Sequence, residues 1–159
     1  MKNKEIKLND VIDYIQKNNN DKNNCYHLDY LLEENCISKE WYEAILEKVL
    51  QYKPKRVIDV GCCLGIFGYL FANKEIEYIG IDIDNYKRFE TEKIKFIHAN
   101  YYDVREQFKD DIIISCLCVG YLIPIKYVLG KLLIINDSKG REKQYKCIAK
   151  EIKLGGRQW

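Results

Sequence analysis

From Arg56 onward the chain alternates between short, nearly continuous apolar runs and amphipathic or polar stretches. Runs rich in Ile, Val and Leu occupy Arg56 to Val60, Ile76 to Asp82, Ile94 to Ala99, Asp111 to Cys118 and Lys131 to Asn136. Uniformly apolar runs of this length predict strands buried on both faces, and their alternation with helical patterns predicts a parallel sheet with helices on each side. A helix is expected from the turn after the first strand to Ala72, and a short one between the second and third strands. Ahead of the sheet, Leu8, Val11, Ile12 and Ile15 form one helical stripe with Asn9 placed to cap it, and the run from Asn18 to Asn24 breaks it. Leu28, Leu31 and Leu32 make a further apolar cluster. Ser38 is placed to cap a helix carrying Trp41, Ile45, Val49 and Leu50, which Pro54 ends. After the fifth strand, a last helix is predicted from about Arg141 to Leu154, stopped by Gly155-Gly156.

The densest chemical signal is Val57-Ile58-Asp59-Val60-Gly61-Cys62-Cys63-Leu64-Gly65-Ile66-Phe67-Gly68: a buried strand ending in an acid, a glycine turn, and a helix start. Such a turn lets backbone pass close to a nucleotide-like ligand. Twenty-one positions after Gly61, the second strand ends in Asp82, where a carboxylate could accept both ribose hydroxyls. The dinucleotide pattern G-x-G-x-x-G would need glycine at positions 63 and 66, where the chain has Cys63 and Ile66.

The acid-x-Gly-x-x-x-Gly arrangement of Asp59, Gly61 and Gly65 resembles motif I of the class I S-adenosylmethionine-dependent methyltransferases. The resemblance runs from about Arg56 to Asp137, with Gly80-Ile81-Asp82 in place of the ribose-binding strand end and Phe96-Ile97-His98-Ala99-Asn100 following it. It implies that S-adenosylmethionine is held by Asp59, Gly61, Cys62, Cys63 and Gly65 of the turn, by Asp82 and Ile83, by Asn100 and Tyr101 after the third strand, and by Cys116 at the fourth. Asn100 falls where the family commonly has an Asp that contacts the adenine amino group. Cys63 stands in place of the family's middle glycine.

The family's full sheet has seven strands closed by an antiparallel hairpin. Against it, this chain reads as a minimal or C-terminally truncated Rossmann-like α/β domain over residues 56–159, with a helical N-terminal cap over 1–55 in one compact unit. The cap either covers the cleft or packs on a sheet face. The last sheet edge is then open, and a homodimer through it is one way to cover it.

Composition narrows the function classes. A chain of 159 residues with 47% apolar content fits one domain, and no apolar run reaches the length of a membrane span. The N-terminus lacks the apolar core of a secretory signal, so a cytoplasmic protein with reduced thiols is expected, although there are seven cysteines. Neither Cys25-Tyr26-His27 nor Cys116-Leu117-Cys118 has zinc-binding spacing, and no metal site is predicted. A net charge of +2 lacks the basic excess of a nucleic-acid binder.

The expected function is methyl transfer to an unidentified acceptor, a small molecule or a protein, with no catalytic residue assigned. Tyr101, Tyr102, Asp103 and Ser115 to Cys118 are candidates to meet the acceptor, and His98 has no assigned role. A cofactor-binding or degenerate partner module without turnover is the first alternative, and a nicotinamide-dependent oxidoreductase the second.

Overall fold

A computed structural model describes residues 7–18, 37–72, 74–85, 88, 90–116, 118–120, 122–136 and 149–154. Two helices, α1 (Leu8–Asn18) and α2 (Ile37–Tyr52), precede strand β1 (Arg56–Val60). There follow α3 (Ile66–Ala72), β2 (Glu77–Asp82), β3 (Ile94–His98), α4 (Tyr101–Val104), β4 (Ile112–Ser115), β5 (Leu132–Asn136) and β6 (Ala149–Lys153). Turns of 3-10 helix lie at Arg105–Phe108 and Ile125–Tyr127.

The six strands form one sheet in the order β3-β2-β1-β4-β5-β6, with β6 alone antiparallel. Strand order reverses between β1 and β4, so their carboxyl ends flank the crevice where doubly wound sheets bind ligands. The apolar runs behave as strands buried on both faces must. Val57, Ile112, Ile114, Leu132 and Ile134 enter one core with Ile45, Val49 and Phe67, while their neighbours Ile58, Ile113, Leu133 and Ile135 enter a second with Tyr101 and Phe108. Each buried isoleucine or leucine contributes about 1.5–3 kcal/mol, so two such layers suffice to order the sheet. Val11 of α1 also lies in the first core, so both N-terminal helices pack on the same apolar layer as the strands.

Several boundaries differ from those predicted. The last helix does not form over Ala149–Lys153: those residues pair with β5, from Leu132↔Lys153 to Asn136↔Ala149. Ala, Lys and Glu favour helix locally, but β5 presents an unpaired ladder, and satisfying its backbone groups outweighs a few tenths of a kcal/mol in propensity. The edge of β5 is therefore covered by the chain itself, and the new edge carries the exposed Lys150, Glu151 and Lys153, charges that discourage edge-to-edge pairing. Between β2 and β3 the described residues form no helix, and β4 ends at Ser115, short of Cys118. Helix α1 starts at Leu8, ahead of the predicted cap Asn9; Asp10 accepts the Lys7 N–H at 3.1 Å instead. Likewise α2 starts at Ile37, ahead of Ser38; it ends on Lys53 at φ 47°, followed by Pro54.

Leu28, Leu31, Leu32, Cys25-Tyr26-His27, residues 19–24, 141–148 and Gly155-Gly156 lie outside the described residues. Among the described residues no helix is long and apolar enough to cross a membrane.

Candidate functional site

Residues 61–65 must reverse the chain between β1 and α3, and three of the five do so in the left-handed region: Gly61 at φ 73°, Cys63 at 50° and Gly65 at 73°. A side chain in that conformation costs about 1–2 kcal/mol, so Cys63 occupies a backbone position suited to glycine. Protein side chains cover the glycines. A Cβ on Gly61 would stand 2.3 Å from Cys118 Cβ, and one on Gly65 would stand 2.4 Å from the Phe96 ring. Four N–H groups of the turn are taken internally. Those of Gly61 and Cys62 donate to the Ile81 carbonyl at 2.8 and 3.2 Å, that of Gly65 to the Cys62 carbonyl at 2.8 Å, and that of Cys63 to Asp82 Oδ2 at 2.8 Å. Amides so engaged are not free to cradle a pyrophosphate.

Asp82 is 9% exposed at the end of β2. Besides Cys63, it accepts the Asp84 N–H on Oδ1 at 2.9 Å. An ionised carboxylate has about four acceptor positions, so capacity remains for ribose hydroxyls. Asn100 is exposed and caps α4, its Oδ1 accepting the Tyr102 N–H at 3.1 Å. The same oxygen has a second lone pair, and its amide two donors.

A cleft of about 420 Å3 opens over these strand ends, a volume in the range of small-molecule sites. Of the ten predicted cofactor residues, Gly61, Cys63, Asp82, Ile83, Asn100, Tyr101 and Cys116 line it, while Asp59, Cys62 and Gly65 do not. Asp59 is 2% exposed and lies below the turn, accepting the Tyr78 hydroxyl at 2.6 Å. Burial pushes its carboxyl up to about 7, against the pull of that hydrogen bond. Cys62 packs under Gly80, with a thiol pushed far up by burial and by the nearby Asp59.

The acceptor-side candidates divide in two. Ser115 is fully buried and structural: its hydroxyl donates to the Val60 carbonyl at 2.8 Å and accepts the Val119 N–H at 2.9 Å, tying the ends of β1 and β4. Tyr101 does the same with Leu129, donating to its carbonyl and accepting its N–H. Tyr102, Cys116 and Cys118 face the cleft. Burial and the carboxylates of Asp82 and Asp59 push the Cys118 thiol up to about 11, so it stays protonated at neutral pH. His98 Nε2 is paired with the Ile83 carbonyl at 2.9 Å.

Sequence reasoning missed Tyr42, Leu122 and Ile123 in the cleft wall, and Arg88 beneath it. Tyr42 comes from α2, its ring tilted at 43° against Phe67 with centroids 4.6 Å apart, and burial holds its phenol protonated. Tyr42 falls one residue after Trp41 on the predicted helix, but its contact with the cleft spans the chain and leaves no local mark.

No protein-family model and no curated protein matches the chain. Among solved structures it is similar to a Listeria monocytogenes protein provisionally named as an S-adenosylmethionine-dependent methyltransferase, at 18% identity and a TM-score of 0.46 over 67% of this chain and 60% of that one. It is also similar to the bifunctional kinase-methyltransferase WbdD, at 19% identity and a TM-score of 0.41 over 72% of this chain and 29% of that one. A third is a provisionally named ribosomal RNA methyltransferase from Plasmodium falciparum, at 19% identity and a TM-score of 0.39, covering 60% and 75%. The chain spans less than two thirds of the first two. Strand order, register and crossover positions together make this a doubly wound, Rossmann-like α/β fold with its cleft at the carboxyl ends of β1, β2 and β4.

Proposed function

We propose that the cleft binds S-adenosylmethionine and that the chain transfers its methyl group to an acceptor entering along Tyr102, Leu122 and Ile123. The observation that carries this reading is the meeting of Gly61 and Cys63, from a left-handed turn, with Asp82 and Asn100 in one cleft. Asp82, with acceptor capacity left, would take the ribose hydroxyls. Asn100 and Ile83 would flank the base, and Cys116 with Tyr42 would bound the inner end. When bound, the cofactor supplies an electrophilic methyl group on a sulfonium. The chain's part is then alignment and exclusion of water, which the apolar walls favour, and a base is needed only if the acceptor carries a proton.

Four engaged turn amides make pyrophosphate binding a poorer reading. The internal commitments of Ser115 and Tyr101 lend weight to a second one, cofactor binding without turnover. The test is S-adenosylhomocysteine affinity of wild type and of Asp82→Ala, with folding checked by circular dichroism. A tenfold or greater loss, about 1.4 kcal/mol, is expected. Unchanged affinity in folded Asp82→Ala would remove the proposed site, and S-adenosylhomocysteine released with any acceptor would remove the second reading.

A further inference from the structure

Cys63 is where the turn departs from the glycine pattern, and both of its peptide groups are gripped by side chains that follow from β2. Its N–H donates to Asp82 Oδ2 at 2.8 Å, and its carbonyl accepts from Arg88 Nε at 2.5 Å. Arg88 and Asp82 are themselves an ion pair, at 4.0 Å, with the Arg88 side chain only 4% exposed. A second guanidinium N–H donates to the Asp84 carbonyl at 3.1 Å. The guanidinium carbon lies 5.2 Å from the centre of the Phe96 ring, the same ring that fills the space beside Gly65 and Gly80. Burying a guanidinium is costly unless its donors are met, and here the acceptors are backbone carbonyls of the turn and of the loop after β2. The fork geometry of arginine reaches both carbonyls at once; a lysine ammonium lacks that planar pair of donors.

We propose that Arg88 is a positioning residue: it holds Cys63 in the left-handed conformation that glycine adopts unaided, and so keeps the turn in register with Asp82 at the cleft floor. Asp82 secures the N–H side of residue 63 and Arg88 the carbonyl side, and the ion pair fixes the two grips relative to each other. Replacing the middle glycine by cysteine is thereby offset from outside the turn. The binding readout of this inference rests on the cofactor reading above; the conformational claim does not.

The test measures the effect of Arg88→Met on S-adenosylhomocysteine affinity and on the urea midpoint, in the wild-type and the Cys63→Gly backgrounds. Loss of the grip is expected to weaken binding roughly tenfold in the wild-type background, the equivalent of one left-handed side chain. In the Cys63→Gly background the same substitution is expected to cost less than about threefold, a coupling that a general packing role would not produce. An equal loss in both backgrounds, or no loss in either, overturns the proposal. If wild type binds no S-adenosylhomocysteine, the cofactor reading fails, and the urea midpoints alone decide: Cys63→Gly must then recover most of the stability lost on Arg88→Met. Should Arg88→Met not fold, Arg88→Lys, which keeps the charge and loses the fork, takes its place in the same comparison.

Discussion

Gly61→Ala adds a single methyl group where the structure leaves no room for it. The new Cβ would stand 2.3 Å from Cys118 Cβ and 2.5 Å from its Sγ, on a backbone at φ 73°. Two costs follow. Holding alanine in the left-handed region costs about 1–2 kcal/mol, and forcing β1's turn away from Cys118 adds about 1–3 kcal/mol of overpacking. The sum, about 2–5 kcal/mol, is a large share of the roughly 5–15 kcal/mol that stabilises a typical domain. Urea unfolding followed by circular dichroism reads it as a midpoint lowered by on the order of 1–2 M.

Three companion substitutions separate the terms. Gly120→Ala has a comparable backbone at φ 90° but meets only Ile135 Cδ1 at 3.8 Å, so it is expected to show the backbone cost of about 1–2 kcal/mol alone. Cys118→Ala leaves the Cβ contact in place and so should rescue little, whereas Cys118→Gly should return the overpacking share. If Gly61→Ala cost no more than Gly120→Ala, the close seating of Cys118 on the turn would be refuted.

Further predictions concern the layer beneath the cleft. The Asp59 carboxyl lies at about 7 when folded, above its ordinary value, so its contribution is fully present below about pH 4 and is lost as pH rises through 7. Wild type should therefore lose up to about 4 kcal/mol more than Asp59→Asn between pH 4 and pH 8, by urea midpoints; parallel pH profiles would contradict this. Tyr78→Phe removes the hydroxyl that Asp59 accepts and should cost about 1–3 kcal/mol near neutral pH, with a smaller cost at pH 4. Ser115→Ala releases the Val60 carbonyl and the Val119 N–H, and should cost about 1–3 kcal/mol in thermal unfolding.

How much of this was legible in the sequence depended on whether the cause was local. The parallel strands were readable because burial on both faces demands unbroken apolar runs: Arg56–Val60 was placed to the residue, and β2, β3 and β5 to within one. The turn was readable because a left-handed bend favours glycine at 61 and 65. Strand β6 was not, because Ala149–Lys153 is helix-prone alone and is a strand only against β5. Arg88 was not, since the hydrogen-bond acceptors it meets are backbone carbonyls, which any residue supplies. The left-handed backbone of Cys63 was not legible either, because the Asp82 and Arg88 side chains that hydrogen-bond on either side of it come from elsewhere in the chain. Asp59 was grouped with the cofactor residues through the motif I resemblance, and what the sequence did not mark is the Tyr78 hydroxyl that its buried side chain accepts.

Calorimetric titration of the purified chain with S-adenosylmethionine, S-adenosylhomocysteine and NAD in parallel decides whether the cleft over β1, β2 and β4 takes the proposed cofactor. Binding of the first two with dissociation constants in the micromolar range, about −8 kcal/mol, with no heat from NAD, is the predicted result. Binding of NAD without the other two, or of none of the three, would contradict it.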